Sequence, residues 1–404
     1  MRNDKNPIRS WLPWLVYLSL LSPSFAADPL VPTEVRPWEL LRQVPKEPGF
    51  RAGIFDVHFG LGGSLTYDDN ISLSATNRQS DFIGRPTADI LAVADDRADG
   101  VGTLLSLQYQ PTGELFYQHT HDDALDQFAR LQALWAMPKL TLGVAQQFTE
   151  TSDAVIEIGR RVRQDYYNTD LTAQYKFSEK TSLEVDPRLT VSEGQSVIGS
   201  KEWAVDTFLN WAATAKLTPG IGGSFGYVDV DQGPSQHYER ALARLIYAAT
   251  AKLDFTASAG GEWRHYNSGL SPSVTPVFGL AGTYRPSDYT TLTLEGHRRE
   301  EPSLILTGQD YITTGGTGEI RQRVWRMYFI SLSGGYDLRD YRASEVGALA
   351  TRRDHYYFGR AGIGAEYAHH WNVLVFCQHQ RDDSNVDTQD FKDNQVGFQT
   401  AWTY

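Results

Sequence analysis

The chain has 404 residues and a formal net charge of −12, with 21 Tyr, 18 Phe and 10 Trp but only 3 Met and 1 Cys. Nucleic-acid binding requires a basic surface, so the acidic balance argues against a nucleic-acid partner. The single cysteine, Cys377, cannot form an internal disulfide, and we expect it to pack within a strand. The fold must therefore be held by backbone hydrogen bonds and not by disulfide bridges.

Residues 1-26 have the parts of a secretory signal peptide. Arg2, Lys5 and Arg9 give a positive start, residues 11–21 form an apolar run, and small residues precede a cleavage point after Ala26. A membrane anchor is the alternative, but a spanning helix needs about 20 apolar residues. The sequence therefore predicts export through a cleaved signal peptide.

Residues 27-52 lack regular alternation and are rich in proline. The prolines of this segment are Pro29, Pro32, Pro37, Pro45 and Pro48. We interpret the segment as a periplasmic leader that precedes the folded domain. It either plugs that domain, docks a periplasmic partner or remains a flexible tail.

Alternation with a period of two dominates the rest of the chain. In residues 100–120, Leu105, Leu107 and Tyr109 fall on one side, and Ser106 and Gln108 fall on the other. Similar alternation recurs at residues 171–177, 183–191, 205–217 and 291–295. A tilted transmembrane strand needs about 9–11 residues, whereas strands of soluble proteins average about 5–6. The pattern favours transmembrane strands over a soluble sandwich or propeller.

Short and long connections alternate between these strands. Short turns are predicted at residues 137–139, 178–181, 218–220, 285–288 and 369–372. Long polar loops are predicted at residues 70–79, 151–162, 231–236, 302–317, 344–353 and 382–390. The turns at 95–100 and 330–334 have the weakest signals, and Arg326 on an apolar side indicates a bulge.

This alternation predicts an all-β fold, a single transmembrane antiparallel up-and-down β-barrel of about 18 strands (16–18) over residues 53-404. Short turns face the periplasm in outer-membrane barrels, so both termini are expected there. Phe398, Trp402 and Tyr404 alternate along the last strand, and the chain ends on an aromatic residue. This ending resembles the C-terminal signature of bacterial barrels. It implies the barrel-insertion machinery, outer-membrane lipids and lipopolysaccharide as partners.

Residues 60–74 read GLGGSLTYDDNISLS, with Tyr67, Asp68, Asp69 and Asn70 at the end of a glycine-rich strand. Together with residues 48–55 and 81–83, this segment resembles the start of the β-barrel porin 2 family. The resemblance implies an outer-membrane β-barrel of a Gram-negative bacterium. Some members of that family accompany exopolysaccharide secretion, which adds polysaccharide as a partner, and most are described only as porins.

The Asp-Asp-Asn step also has a physical reading of its own. Short polar side chains favour turns, so Asp68, Asp69 and Asn70 are expected to begin the first loop as solvated residues. A divalent-cation site formed with Asp81 is the alternative, but the spacing is not that of an EF-hand loop. We therefore expect no metal and no cofactor.

The inward face of the predicted barrel carries charges of both signs. The lumen-facing candidates are Glu114, Arg130, Glu184, Asp186, Arg188, Asp206, Arg240, Arg244, Glu262, Arg264, Glu295, Arg299, Arg321, Arg323 and Glu366. Arg240, Arg244, Arg321 and Arg323 suggest a basic strip. These charges either select ions and orient dipolar solutes or simply keep a polar lumen neutral.

The sequence is compatible with three functions. A porin-like channel for polar solutes is the leading prediction, and a non-conducting structural or surface-interaction barrel is the alternative. A barrel hydrolase is the least favoured, because the chain contains no nucleophile motif and no metalloprotease motif. Its candidate residues would be His119, His121, Asp122, Asp123 and His297.

Overall fold

The fold was analysed in a computed structural model that describes residues 49–98, 100–250, 252–367 and 370–403. The predicted signal peptide, the leader up to Pro48 and Tyr404 lie outside the described residues. No helix within these ranges has the length and apolar character that crossing a bilayer requires.

Eighteen long antiparallel strands form one closed barrel, as the alternation predicts. In chain order the strands are β1 (Phe55–Asp68), β2 (Asp81–Asp95), β3 (Gly102–Phe116), β4 (Ala124–Ala136), β5 (Leu140–Thr151), β6 (Gln164–Lys176), β7 (Thr181–Gly194), β8 (Ser200–Trp211), β9 (Leu217–Val230), β10 (Gln236–Thr250), β11 (Leu253–Tyr266), β12 (Ser273–Ser287), β13 (Thr290–Pro302), β14 (Gln309–Arg323), β15 (Tyr328–Ala343), β16 (Arg353–Tyr367), β17 (Trp371–Ser384) and β18 (Phe391–Thr403). Each strand pairs with the next, and β18 pairs with β1 from Gly60↔Thr403 to Asp68↔Gln395. Closure leaves no long strand with an unpaired edge.

The sheet of the barrel, called the wall, has apolar side chains on its outer face and polar side chains on its inner face, the reverse of a soluble protein. On β1, Leu61 and Leu65 are 60% and 55% exposed on the outer face, whereas Thr66 and Asp68 are 2% and 6% exposed on the inner face. Successive residues of a strand point to opposite faces, so this alternation sorts apolar side chains outward and polar side chains inward. The barrel therefore presents an apolar exterior around a polar interior.

The two ends of the barrel differ in the length of their connections. At one end, called the loop end, connections such as residues 69–80 and 152–163 have up to twelve residues. At the other, called the turn end, connections such as residues 137–139 and 288–289 have two to six residues. The described chain begins at the turn end, and β18 also ends there.

Two predicted connections are wrong in position. Residues 218–220 belong to β9, and the turn before that strand comprises residues 212–216. The predicted loop 302–317 is shortened to residues 303–308, because β14 begins at Gln309. Both segments contain Gly, Thr or Pro, which mimic the composition of a turn. In β14, however, residues 310–322 pair with β13 on one side and with β15 on the other.

The weak turn at 330–334 and the bulge at Arg326 are also wrong. Residues 330–334 lie within β15, and Arg326 lies in the turn 324–327 that precedes this strand. The out-of-phase position of Arg326 therefore reflects a break between two strands and not a slip within one.

A short strand, Phe50–Ala52, precedes the barrel inside the segment that was expected to be a leader. It pairs with the start of β1, with Phe50 opposite Val57. The last three residues before the turn into β1 are thus attached to the wall.

Candidate functional site: the barrel interior

The loop between β5 and β6, residues 152–163, packs inside the barrel. It contains a small hairpin in which Ala154–Val155 pairs with Arg160–Arg161. At its tip, Ile156 is fully buried in a cluster with Leu73, Tyr356 and Phe391. Tyr356 lies on β16, and six strands separate β16 from β5 along the shorter way around the ring. The loop, called the inward loop, therefore crosses the interior to a distant part of the wall.

Polar contacts fix the tip of the inward loop. The Glu157 carboxylate accepts hydrogen bonds from the Ser303 hydroxyl and from the Leu304 backbone N–H, the latter at 3.1 Å. The Glu157 carbonyl accepts one from Arg352 Nη1 at 3.0 Å, and Arg352 Nε donates to Asp354 at 2.8 Å. Burial opposes the charge of Arg352, but its acidic neighbours outweigh that effect and raise the pKa of the guanidinium. Arg352 thus stays charged where it holds the loop.

Ion pairs fix the base of the same loop. Arg161 pairs with Glu114, whose other carboxylate oxygen accepts Arg85 Nε at 2.5 Å. Ser152 Oγ donates to Asp126 Oδ1 at 2.8 Å. Since both base and tip are bonded to the wall, the inward loop is a defined part of the fold.

A second ion-pair network lies on the inner face of β7, β10 and β11. Glu262 is 0% exposed and lies between Arg240 Nε and Arg264 Nε, each 2.7 Å from one of its carboxylate oxygens. Arg244 donates two hydrogen bonds to Glu184, at 2.9 and 2.7 Å. Arg240 and Arg244 are therefore neutralised by carboxylates and do not form a free basic surface.

The other two arginines of the suggested basic strip lie elsewhere. Arg321 and Arg323 on β14 both pair with Glu366 on β16. Their strand is four places from β10, which carries Arg240 and Arg244. The structure thus divides the suggested strip into two separate, paired groups.

The remaining lumen-facing candidates include one longer ion pair and one that is partly exposed. Arg188 lies 3.9 Å from Asp206, and Arg299 Nε lies 2.8 Å from a Glu301 oxygen. Arg130, Asp186 and Glu295 are partly exposed. Opposite charges are interspersed throughout this group.

A cavity of about 860 Å³ occupies the interior beside β6 to β13. It extends from turn-end residues such as Lys180 to loop-half residues such as Glu300. Its basic lining residues are Lys176, Lys180, Arg188, Arg240, Arg244, Arg298 and Arg299, and its acidic ones are Glu179, Glu184, Glu202, Asp206, Asp254, Glu295, Glu300 and Glu301. Charges of both signs line the cavity, with no strong excess of either.

The Asp-Asp-Asn step differs from its predicted solvated form. Asn70 is 0% exposed, and its side-chain amide donates to the carbonyls of Ser74 and Lys392, both at 3.0 Å. Asp81 accepts hydrogen bonds from the backbone and ring nitrogens of His119, at 2.8 and 2.9 Å. The structure groups Asp393, in place of Asp81, with Asp68 and Asp69.

The residues considered for catalysis do not converge. His119, His121, Asp122 and Asp123 lie in or beside the short loop after β3, whereas His297 lies on β13, 3.4 Å from Asp337. Among the described residues they form no shared acid–base arrangement with a nucleophile.

Two features near the end of the chain concern the outer face. Cys377 lies within β17, as predicted, and is exposed there. Phe398 is 45% exposed on the outside of β18. Trp402 is partly buried near the end of that strand.

Comparison with known proteins finds no family, and the similar solved structures are distant. No protein-family model and no curated protein matches the chain. Among solved structures, Pseudomonas aeruginosa OpdQ is 11% identical over 87% of this chain and 99% of its own, with a TM-score of 0.45. P. aeruginosa OpdK with vanillate is 8% identical over 86% and 99%, with a TM-score of 0.45. A bacterial polysaccharide outer membrane secretin is 7% identical over 86% and 98%, with a TM-score of 0.36.

Proposed function

We propose that the chain is an outer-membrane channel for polar solutes. The observation that carries the proposal is the two-faced wall. A closed ring of 18 strands has an apolar exterior and surrounds a cavity lined by charges of both signs. An apolar outer face is costly in water and suits a bilayer, and a barrel of this size is wide enough to hold an aqueous path. Catalysis is not part of the proposal.

In this proposal the loop end faces outside and the turn end faces the periplasm, which is the usual arrangement of bacterial barrels. The signal peptide, residues 1-26, delivers the chain, and the leader, residues 27-52, emerges on the periplasmic side. The terminal signature with Phe398 and Trp402 is read by the insertion machinery. The surrounding partners are outer-membrane lipids and lipopolysaccharide.

In a narrower form of the proposal, the channel accompanies exopolysaccharide export in a Gram-negative bacterium, and polysaccharide is a partner. It rests on the resemblance of residues 60–74 to the β-barrel porin 2 family. A gene neighbourhood without glycosyltransferases or chain-length regulators would count against this form alone.

The alternative function is a non-conducting structural or surface-interaction barrel. The inward loop favours it, because Ile156 and Glu157 are 0% exposed in the loop half of the interior. Single-channel recording in planar bilayers distinguishes the two functions. We expect discrete conductance steps from the purified chain. Their absence, both with and without residues 27–48, would leave the non-conducting barrel.

If the outer face of the wall contacts hydrocarbon, a charge placed on that face should destabilise the barrel more than one on the inner face. Leu171, near the middle of β6, points outward and is 44% exposed, whereas its neighbour Thr172 points inward. We expect Leu171→Arg to lower the free energy of unfolding by about 2–4 kcal/mol, because an outward arginine must enter hydrocarbon. Equilibrium unfolding in lipid vesicles measures the change. Thr172→Arg is the matched control, and equal losses in the two variants would contradict a bilayer location.

A further inference from the structure

Three carboxylates meet at the loop end of the seam between the first and last strands. Asp68 is the last residue of β1, Asp69 follows it, and Asp393 is the third residue of β18. Their candidate ligand oxygens lie within 4.8 Å of one another. Asp68 and Asp393 are 6% and 0% exposed, so water does not screen their mutual repulsion.

One oxygen in this cluster has no donor among the described residues. Asp393 Oδ2 accepts the side-chain amides of Gln380 and Gln395, at 2.6 and 3.0 Å. Asp393 Oδ1 is buried, and no group of the described residues donates a hydrogen bond to it. A buried carboxylate oxygen left in this way costs free energy unless a positive group satisfies it.

A second acidic cluster in the same barrel shows how the chain satisfies such groups with its own side chains. Glu114, Asp126 and Asp153 also lie within ligand distance of one another. There, Arg85 lies 2.5 Å from Glu114 and 3.9 Å from Asp153, and Arg161 also pairs with Glu114. The ion pairs found within the described residues place no Lys or Arg within 4 Å of the seam cluster.

The geometry points to a divalent-cation site, of the Ca²⁺ class, formed by Asp68, Asp69 and Asp393. Ca²⁺ prefers carboxylate oxygens and accepts additional water or carbonyl ligands in flexible geometry. The surrounding contacts hold the ligands in place, since Asp69 accepts the backbone and side-chain N–H groups of Asn394 at 2.8 and 2.6 Å. Because two ligands come from the end of β1 and one from β18, the ion joins the two strands that close the barrel.

The site is tested with the full chain, purified in a neutral detergent and stripped with EDTA. Ca²⁺ binding is measured by calorimetry, and barrel stability by the temperature at which the heat-modifiable band shifts on a gel. We expect saturable binding and a higher transition temperature with Ca²⁺ than with EDTA. Asp393→Asn and Asp69→Asn keep the shape of the side chain, and each should weaken binding at least tenfold and remove the Ca²⁺-dependent shift.

Asp126→Asn, in the arginine-paired cluster, is the matched control and should keep the Ca²⁺ response. If Asp393→Asn does not fold, Asp69→Asn alone decides, because Asp69 is only partly buried. If the transition temperature of the wild type does not change with Ca²⁺ or EDTA but rises in acid, the carboxylates share a proton and the cation site is disproved. Identical responses of the wild type and both seam variants would overturn it as well. None of these outcomes depends on conductance.

Discussion

Replacing residues 154–161 with a Gly-Ser linker of equal length is expected to raise single-channel conductance by roughly twofold or more, because the narrowest section limits ion flow. The native segment fills interior space with Ile156 and Glu157, and both side chains are completely buried against other parts of the wall. A Gly-Ser linker lacks the apolar tip that packs against Tyr356 and Phe391. Planar-bilayer recordings of both proteins under identical salt provide the measurement.

The matched control is the same replacement in residues 231–235, a loop-end connection that lies between β9 and β10. It changes a loop of the same barrel end without touching the buried tip, so its conductance should equal that of the wild type. An unchanged conductance after replacing residues 154–161 would mean that the inward loop does not limit the path.

Glu262→Ala is expected to cost about 3–5 kcal/mol of unfolding free energy, because it leaves the buried Arg264 and the partly buried Arg240 without their shared carboxylate. Arg264 is 1% exposed and retains the Gln236 side chain, the Glu300 carbonyl, a more distant Glu300 carboxylate and the Tyr238 ring, whose centre lies 4.9 Å from the guanidinium carbon. Urea unfolding in detergent micelles, followed by tryptophan fluorescence, measures the loss.

Glu301→Ala is the control for this substitution. Its partner Arg299 is 25% exposed and Glu301 is 22% exposed, so water can replace the lost contact. Partly exposed pairs contribute about 0–1 kcal/mol. If the two variants lost the same stability, the buried network around Glu262 would have no special role in holding the wall.

The sequence predicts the strands well because their alternation is a local property. Residues 100–120 were predicted as one strand, and β3 spans Gly102–Phe116 with Pro111 inside it. The prediction of a loop at 302–317 failed for a reason that is not local. A Cβ on Gly315 would lie 1.7 Å from Asp337 Oδ1 on the neighbouring strand, so β14 needs glycine where composition alone indicates a turn.

The inward loop was predicted as an ordinary polar surface loop. Its sequence does contain a signal, since Ala154, Val155, Ile156 and Ile158 form an apolar run that is unusual in a solvated loop. The destination of that run was not predictable, because its partners Tyr356 and Phe391 are about two hundred residues away in the sequence. The partners in the ion pairs of the lumen were also not predictable from the sequence. Alternation gives the face on which a charge lies but not the partner that it finds.

The pairing of β1 with β18 has a consequence for how the chain assembles. One edge of β1 has no long strand to pair with until β18 has been added to the sheet. This pairing joins residues that are more than three hundred positions apart in the sequence. Its loop-closure entropy is therefore unfavourable, and folding is expected to be slow. During that interval the nascent sheet has two open edges, which are templates for aggregation. The topology therefore predicts that these open edges need protection while the barrel folds, whatever the finished barrel does.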